Sequence, residues 1–188
     1  DKNPGKLHLT ANGSFGKQDI MLFLGGMPTS FIRQWPNQPL TVKTVLTGNM
    51  KRLNFAGLSV KLPTAFNMNA SGYAANLDNM NLLGADVKLE AHTGNLGFLS
   101  ALINAGGADA GFRIPNGIGI NGRFRADGKR YMADFVANEG GGRLKAKADF
   151  NAASMSYAAS LIADKLHIGH FLPKSGMGDL TADVRAKG

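Results

Sequence analysis

The sequence predicts an all-β fold: one long curved antiparallel sheet, a trough or solenoid-like array, apolar on its inner face and carrying one to three short helices. Three observations carry that expectation. Apolar and polar residues alternate with period two in one run after another. Gly, Asn and Asp fall between the runs, where tight turns need them, and Gly alone accounts for 25 of the 188 residues. Stretches with helical periodicity are few and short.

Taken in chain order, Leu7, Leu9 and Ala11 alternate with His8, Thr10 and Asn12. A short helical turn is expected from Pro28 to Trp35, with Thr29 or Ser30 as cap and Phe31 and Trp35 four apart on one side. Val87, Leu89 and Ala91 oppose Asp86, Lys88, Glu90 and His92. Asn95 to Gly107 is the best helix candidate, capped by Asn95, with Leu96, Leu99 and Ile103 on one face and Gly106-Gly107 at its end. Ile118, Ile120, Gly122, Phe124 and Ala126 oppose Asn121, Arg123, Arg125 and Asp127. Tyr131, Ala133, Phe135 and Ala137 follow an Asp127-Gly128 hairpin signal. Leu144, Ala146, Ala148 and Phe150 oppose Arg143, Lys145, Lys147 and Asp149. Met155, Tyr157, Ala159 and Leu161 make the next apolar face. A last helical turn is expected within Asp164 to Leu172, and Leu180, Ala182, Val184 and Ala186 close the series. The spacing predicts about ten strands.

Each strand then has one apolar and one wet side, as in an antiparallel sheet covered on one face only. Leu89, Phe124, Phe135, Leu144, Phe150 and Leu161 are assigned to the apolar interior, and Arg143, Lys145 and Lys147 to water. Many inward positions are small, among them Ala91, Ala133, Ala146 and Ala159, which leaves room over the sheet. An apolar face must be covered by another layer or by ligand. The scant helical sequence does not cover about ten strands. Two fillings remain open: acyl chains, each buried CH₂ worth about 0.8 kcal/mol, or opposing strands meeting in a dry closed core.

Motifs for chemistry are missing. The chain has no Cys, so disulfides and thiolate sites are excluded. Gly-x-Ser-x-Gly does not occur, and the carboxylates fall mostly on outer faces, so neither a nucleophile nor an acid/base pair has support. No catalytic, cofactor or metal residue is assigned. Gly117 to Gly122 fits the letters of a dinucleotide fingerprint, but Pro115 precedes it and a strand-like run follows where a helix would be needed. The reading preferred there is a narrow or closely approached strand. His167 and His170 are three apart and lack further ligands beyond Asp164. Asn12-Gly13-Ser14 and Asn69-Ala70-Ser71 match a sequon that is common by chance. The net charge of +8 is dispersed and reads as a solvated face. Nucleic acid is not expected as partner, because the aromatic and basic residues fall on opposite faces.

Strand ends such as Ala11-Asn12-Gly13, Ala70-Ser71-Gly72 and Ala126-Asp127-Gly128 repeat weakly, at irregular spacing. Residues 1–188 are therefore expected to form a single stretch of a longer β-rich array with no internal boundary. The strand-like pattern running to Lys187-Gly188 fits an array whose targeting and anchoring parts lie outside this sequence. Edges left open between such stretches suit edge-to-edge self-association or a strand from a partner.

Two stretches resemble the TamB branch of the TamB/AsmA envelope proteins. Tyr157 to Lys174 runs a strand into Asp164-Lys165-Leu166-His167-Ile168 and then Leu172-Pro173, followed by the strand Leu180 to Gly188. Leu40 to Ala75 carries Thr47-Gly48-Asn49, then Leu53, Phe55, Leu58 and Val60, then Pro63 and the strand Ala65 to Gly72. The resemblance is one of repeated texture over most of the chain. It implies a sheet folded lengthwise into a greasy trough, the β-taco, in a periplasmic protein anchored to the inner membrane by a helix elsewhere in the full chain. It also implies phospholipid or acyl chains as cargo and an outer-membrane assembly protein as partner.

Overall fold

The computed structural model describes residues 5–49, 51–104 and 111–188. Ten strands form one antiparallel sheet in strict sequence order: β1 (Leu7–Phe15), β2 (Leu40–Asn49), β3 (Arg52–Leu62), β4 (Phe66–Ala75), β5 (Gly84–Thr93), β6 (Gly119–Asp127), β7 (Arg130–Glu139), β8 (Gly142–Asn151), β9 (Ser156–His167) and β10 (Asp179–Lys187). The sheet is open. β1 and β10 are its two edges, and no ladder joins them. Strands thus do not meet across a closed core.

Alternation dictates the strands, and short turn residues dictate the hairpins. Asp127 pairs with Arg130 across a two-residue turn, Gly128-Lys129, with Gly128 at φ +55°. The β7–β8 turn is Gly140-Gly141, with Gly140 at φ +56°. Met155, expected on the apolar face of a strand, lies instead in the β8–β9 turn at φ +56° and is exposed; β9 begins only at Ser156.

Helices occupy three connections: α1 (Lys17–Phe23) and α2 (Thr29–Gln34) between β1 and β2, α3 (Gly97–Asn104) between β5 and β6, and α4 (Ile168–Phe171) between β9 and β10. Short 3₁₀ turns add Met80–Leu82 and Pro173–Ser175. α2 is capped by Pro28, not by Thr29 or Ser30. Asn95 Oδ1 accepts the N–H of Gly97 at the start of α3. The expected Gly106-Gly107 end of that helix lies outside the described residues. α1 carries no sequence expectation; its Asp19 carboxylate accepts the Gly16 N–H at 2.8 Å.

The helical connections recur every fourth strand, and the strands that precede them begin at Leu7, Gly84 and Ser156. This periodicity is clearer than the irregular strand-end echoes suggested. All three connections leave the same end of the sheet, and adjacent ones touch. Phe31 and Trp35 of the first lie 5.7 Å and 4.9 Å from Phe98 of the second, ring centre to ring centre. Phe112 of the second lies 6.5 Å from Phe171 of the third, and the Arg113 N–H donates to the Phe171 carbonyl. Phe31, Trp35, Leu62, Ala65, Leu96 and Phe98 form the main buried cluster. The core therefore sits at one end of the strands, where the helices cover Leu40, Leu62 and Phe66, and the middle of the sheet has no second layer of secondary structure among the described residues.

Candidate functional site

Cross-strand partners in an antiparallel sheet point to the same face, so the register assigns every side chain. One row across the sheet reads Ala70, Leu89, Gly122, Phe135, Ala146, Leu161, Val184. The next, toward the helix-free end, reads Phe55, Gly72, Val87, Phe124, Ala133, Ala148, Ala159, Ala186. A row near the helical end reads Met68, Ala91, Ile120, Ala137, Leu144, Ala163, Ala182. Beyond Phe124 toward the other end, Ala85, Ala126, Tyr131, Phe150 and Tyr157 make a fourth. All six residues assigned to the apolar interior thus share one face, spread over these rows.

Large and small side chains alternate along two of the rows, which lets a large residue lean over its small neighbour. Phe135 lies over Gly122: a Cβ there would fall 2.1 Å from the ring. Tyr131 and Phe150 stack at 6.5 Å with planes 21° apart. Leu89, Phe124, Phe135, Leu144 and Phe150 are half-buried, and Leu161 is 43% exposed. At the β1 edge, Leu7, Leu9 and Phe15 of the same face are also exposed. The site is an open apolar surface rather than an enclosed pocket.

Two β-bulges keep the face continuous where simple alternation would break it. Ala56 and Gly57 together oppose Ser71, so Leu53 and Phe55 share a face with Leu58, Val60 and Leu62. Asp164 and Lys165 oppose Thr181, with Lys165 at φ +48° and its N–H donating to Thr181 Oγ1, so Leu166 joins Ala163 and Leu161.

The opposite face is charged. Arg123 holds Asp86 with its Nε 2.7 Å from Oδ1, Arg130 holds Asp149 at 2.9 Å, and Lys147 lies 3.3 Å from Asp134. The hydrogen bond from Arg123, then its charge with those of Arg125 and Lys88, holds the Asp86 carboxyl below the usual range despite slight desolvation. Arg130 does the same for Asp149. Arg143, Lys145 and Lys147 are exposed on this face. A hollow of about 690 Å³ lined by Arg123, Arg125, Arg130, Asp134, Lys147 and Asp149 lies there too.

His167 and His170 stack at 4.3 Å between ring centres, yet each turns its Nδ1 to a different carboxylate, Asp179 and Glu139 respectively. Among the described residues no three His, Asp or Glu side chains gather as a metal-binding group. The Gly117–Gly122 stretch enters β6, and its glycine that matters is the one beneath Phe135. Among the described residues no helix is long and apolar enough to cross a membrane.

The sequence did not announce the cross-strand ion pairs, because they depend on register; Asp86 and Arg123 are separated by a helical connection. The bulges had a trace in the shift of apolar positions from odd to even numbers after Phe55 and after Ala163. Compared with known proteins, the chain matches no family model, no curated protein and no solved structure.

Proposed function

We propose that the chain is a non-catalytic segment of a TamB/AsmA-like envelope protein whose apolar sheet face receives phospholipid acyl chains. The observation that carries the proposal is a broad apolar face with no second layer over its middle. The accessible surface is 11832 Å² for 19.8 kDa, against about 8,600 Å² for a compact monomer of that mass. Exposed apolar area on this scale marks an interaction surface. The Gly and Ala positions beside Leu89, Phe135 and Leu161 leave shallow lanes between larger side chains, which suit flexible hydrocarbon better than a rigid ligand. The charged back of the sheet keeps the assembly in water. The periplasm, anchorage to the inner membrane by a helix elsewhere in the full chain, and service to outer-membrane assembly complete the proposal.

The test is native mass spectrometry of the purified chain after exposure to phospholipid vesicles, with Phe135→Asp and Lys145→Asp compared. Copurifying or acquired phospholipid that Phe135→Asp removes and Lys145→Asp leaves supports the reading. A chain that takes up no phospholipid in any form overturns it.

A second reading, an interaction module acting through its sheet edges, is favoured by β1 and β10, each a full-length strand with no partner on its outer side.

A further inference from the structure

The edge strand β10 carries a chemical palindrome. Around Val184 the sequence reads Ala182-Asp183-Val184-Arg185-Ala186. The strand contains no Pro, the bulge beside it belongs to β9, and its inward residues Leu180, Ala182, Val184 and Ala186 carry no charge. It therefore lacks the features by which edges are usually blunted. Val184 is 56% exposed, and Leu161 beside it is 43% exposed.

We infer that two copies of the chain join antiparallel through β10, with Val184 on the two-fold axis. This deepens the edge reading given above and rests on it. In that register Val184 meets its own copy, Ala182 meets Ala186, and Asp183 meets Arg185, each contact occurring twice as isologous symmetry requires. A two-fold perpendicular to the sheet keeps both apolar faces on one side, so the rows through Leu161 and Ala159 continue into the partner. On β9 the residues opposite Asp183 and Arg185 are Ile162 and Ser160, so no charge there competes. Within one copy Arg185 already grips Asp183, Nε to Oδ1 at 3.0 Å, which shows both side chains on the same face. Shifting the register by one residue sends each apolar side chain to the wrong face. Shifting it so that Asp183 meets its own copy opposes like charges, which cross-strand pairing disfavours. The other edge offers no equivalent: the outward residues of β1 are His8, Thr10, Asn12 and Ser14, without opposite charges to exchange.

Charge complementation tests the inference. Sedimentation of the intact chain without lipid should show a concentration-dependent dimer. Asp183→Arg places Arg against Arg twice, and Arg185→Asp places Asp against Asp twice; each variant alone should raise the dimer dissociation constant at least about tenfold. Mixing the two variants restores both opposite-charge contacts, and a heterodimer of wild-type affinity should form. Since the chain has no Cys, Val184→Cys should also give a disulfide-linked dimer on mild oxidation. If the variants stay monomeric when mixed, β10 pairing in this register is wrong. If the wild type dimerises and neither charge change weakens it, another edge makes the dimer, and the edge reading survives without this proposal. If the wild type remains monomeric at millimolar concentration, both fall.

Discussion

The ring of Phe135 on β7 covers the Cα of Gly122, its register partner on β6, so closely that a methyl group there would fall 2.1 Å from the ring. Glycine is required at residue 122 by that ring and not by backbone angle, since Gly122 is absent from the positive-φ positions. Gly122→Ala should cost about 1–3 kcal/mol through overpacking. In a Phe135→Ala background the clash is gone, and the same change should be neutral or slightly stabilising, because Ala narrows the unfolded ensemble. Urea unfolding of the two single variants and the double variant measures the coupling. An additive cycle would contradict the packing.

Leu144 and Lys145 are neighbours on opposite faces. Leu144 is half-buried between Ala137 and Ala163, whereas Lys145 is exposed. Leu144→Asp should destabilise by about 1–3 kcal/mol, because the carboxylate would be partly desolvated without a partner. Lys145→Asp should change stability by no more than about 0.5 kcal/mol. Thermal melts separate the two, and equal effects would reverse the assignment of faces.

Phe98 joins the first two helical connections and is 3% exposed. Phe98→Ala should cost about 3–5 kcal/mol. Phe23, 81% exposed on α1, should tolerate Ala with a change within about 0.5 kcal/mol. Denaturant midpoints compare them, and hydrogen exchange should show the loosening confined to α2, α3 and the strand ends beneath them.

The ion pairs of the charged face set an acid limit. Asp86 and Asp149 titrate below the ordinary carboxylate range because Arg123 and Arg130 hold them ionised. A carboxylate with a lowered native value stabilises fully above the unfolded value of about 3.9, and the gain disappears as pH falls through the native value. The melting temperature should therefore fall on acidification below about pH 4. Asp86→Asn with Asp149→Asn should flatten that fall, and 1 M salt should weaken it. An unchanged acid slope in the double variant would show that the pairs contribute nothing.

What the sequence made legible is what alternation encodes directly. The strand Gly142–Asn151 shows its two faces in the letters Leu144-Lys145-Ala146-Lys147. The helix at Gly97–Asn104 announced itself through Asn95 and the spacing of Leu96 and Leu99. α1 stayed hidden because Ile20, Met21 and Leu24 pack inward while Leu22 and Phe23 face water, so it shows no polar side. Met155 imitated a strand position because a turn residue at the right parity is indistinguishable from one until the register is known. The Arg–Asp pairs and the Phe135–Gly122 contact join residues on different strands, and single-sequence periodicity does not encode which strands adjoin. The assignment of Leu89, Phe124, Phe135, Leu144, Phe150 and Leu161 to one face needed only alternation within each strand and the antiparallel rule between strands.

Because every strand pairs only with its neighbours in sequence, the sheet is a one-dimensional object, and its contacts close short loops of chain. Folding can begin at any hairpin and zip outward, without a distant segment having to return. The same arrangement makes length additive. Adjacent strands lie about 4.8 Å apart, so one four-strand unit with its helical connection advances the sheet by about 19 Å. Duplicating or deleting a whole unit preserves strand direction, the apolar face and the side on which the helices emerge. Such a molecule can be lengthened in equal steps like a ruler, and the gap it spans would be written in its number of repeats.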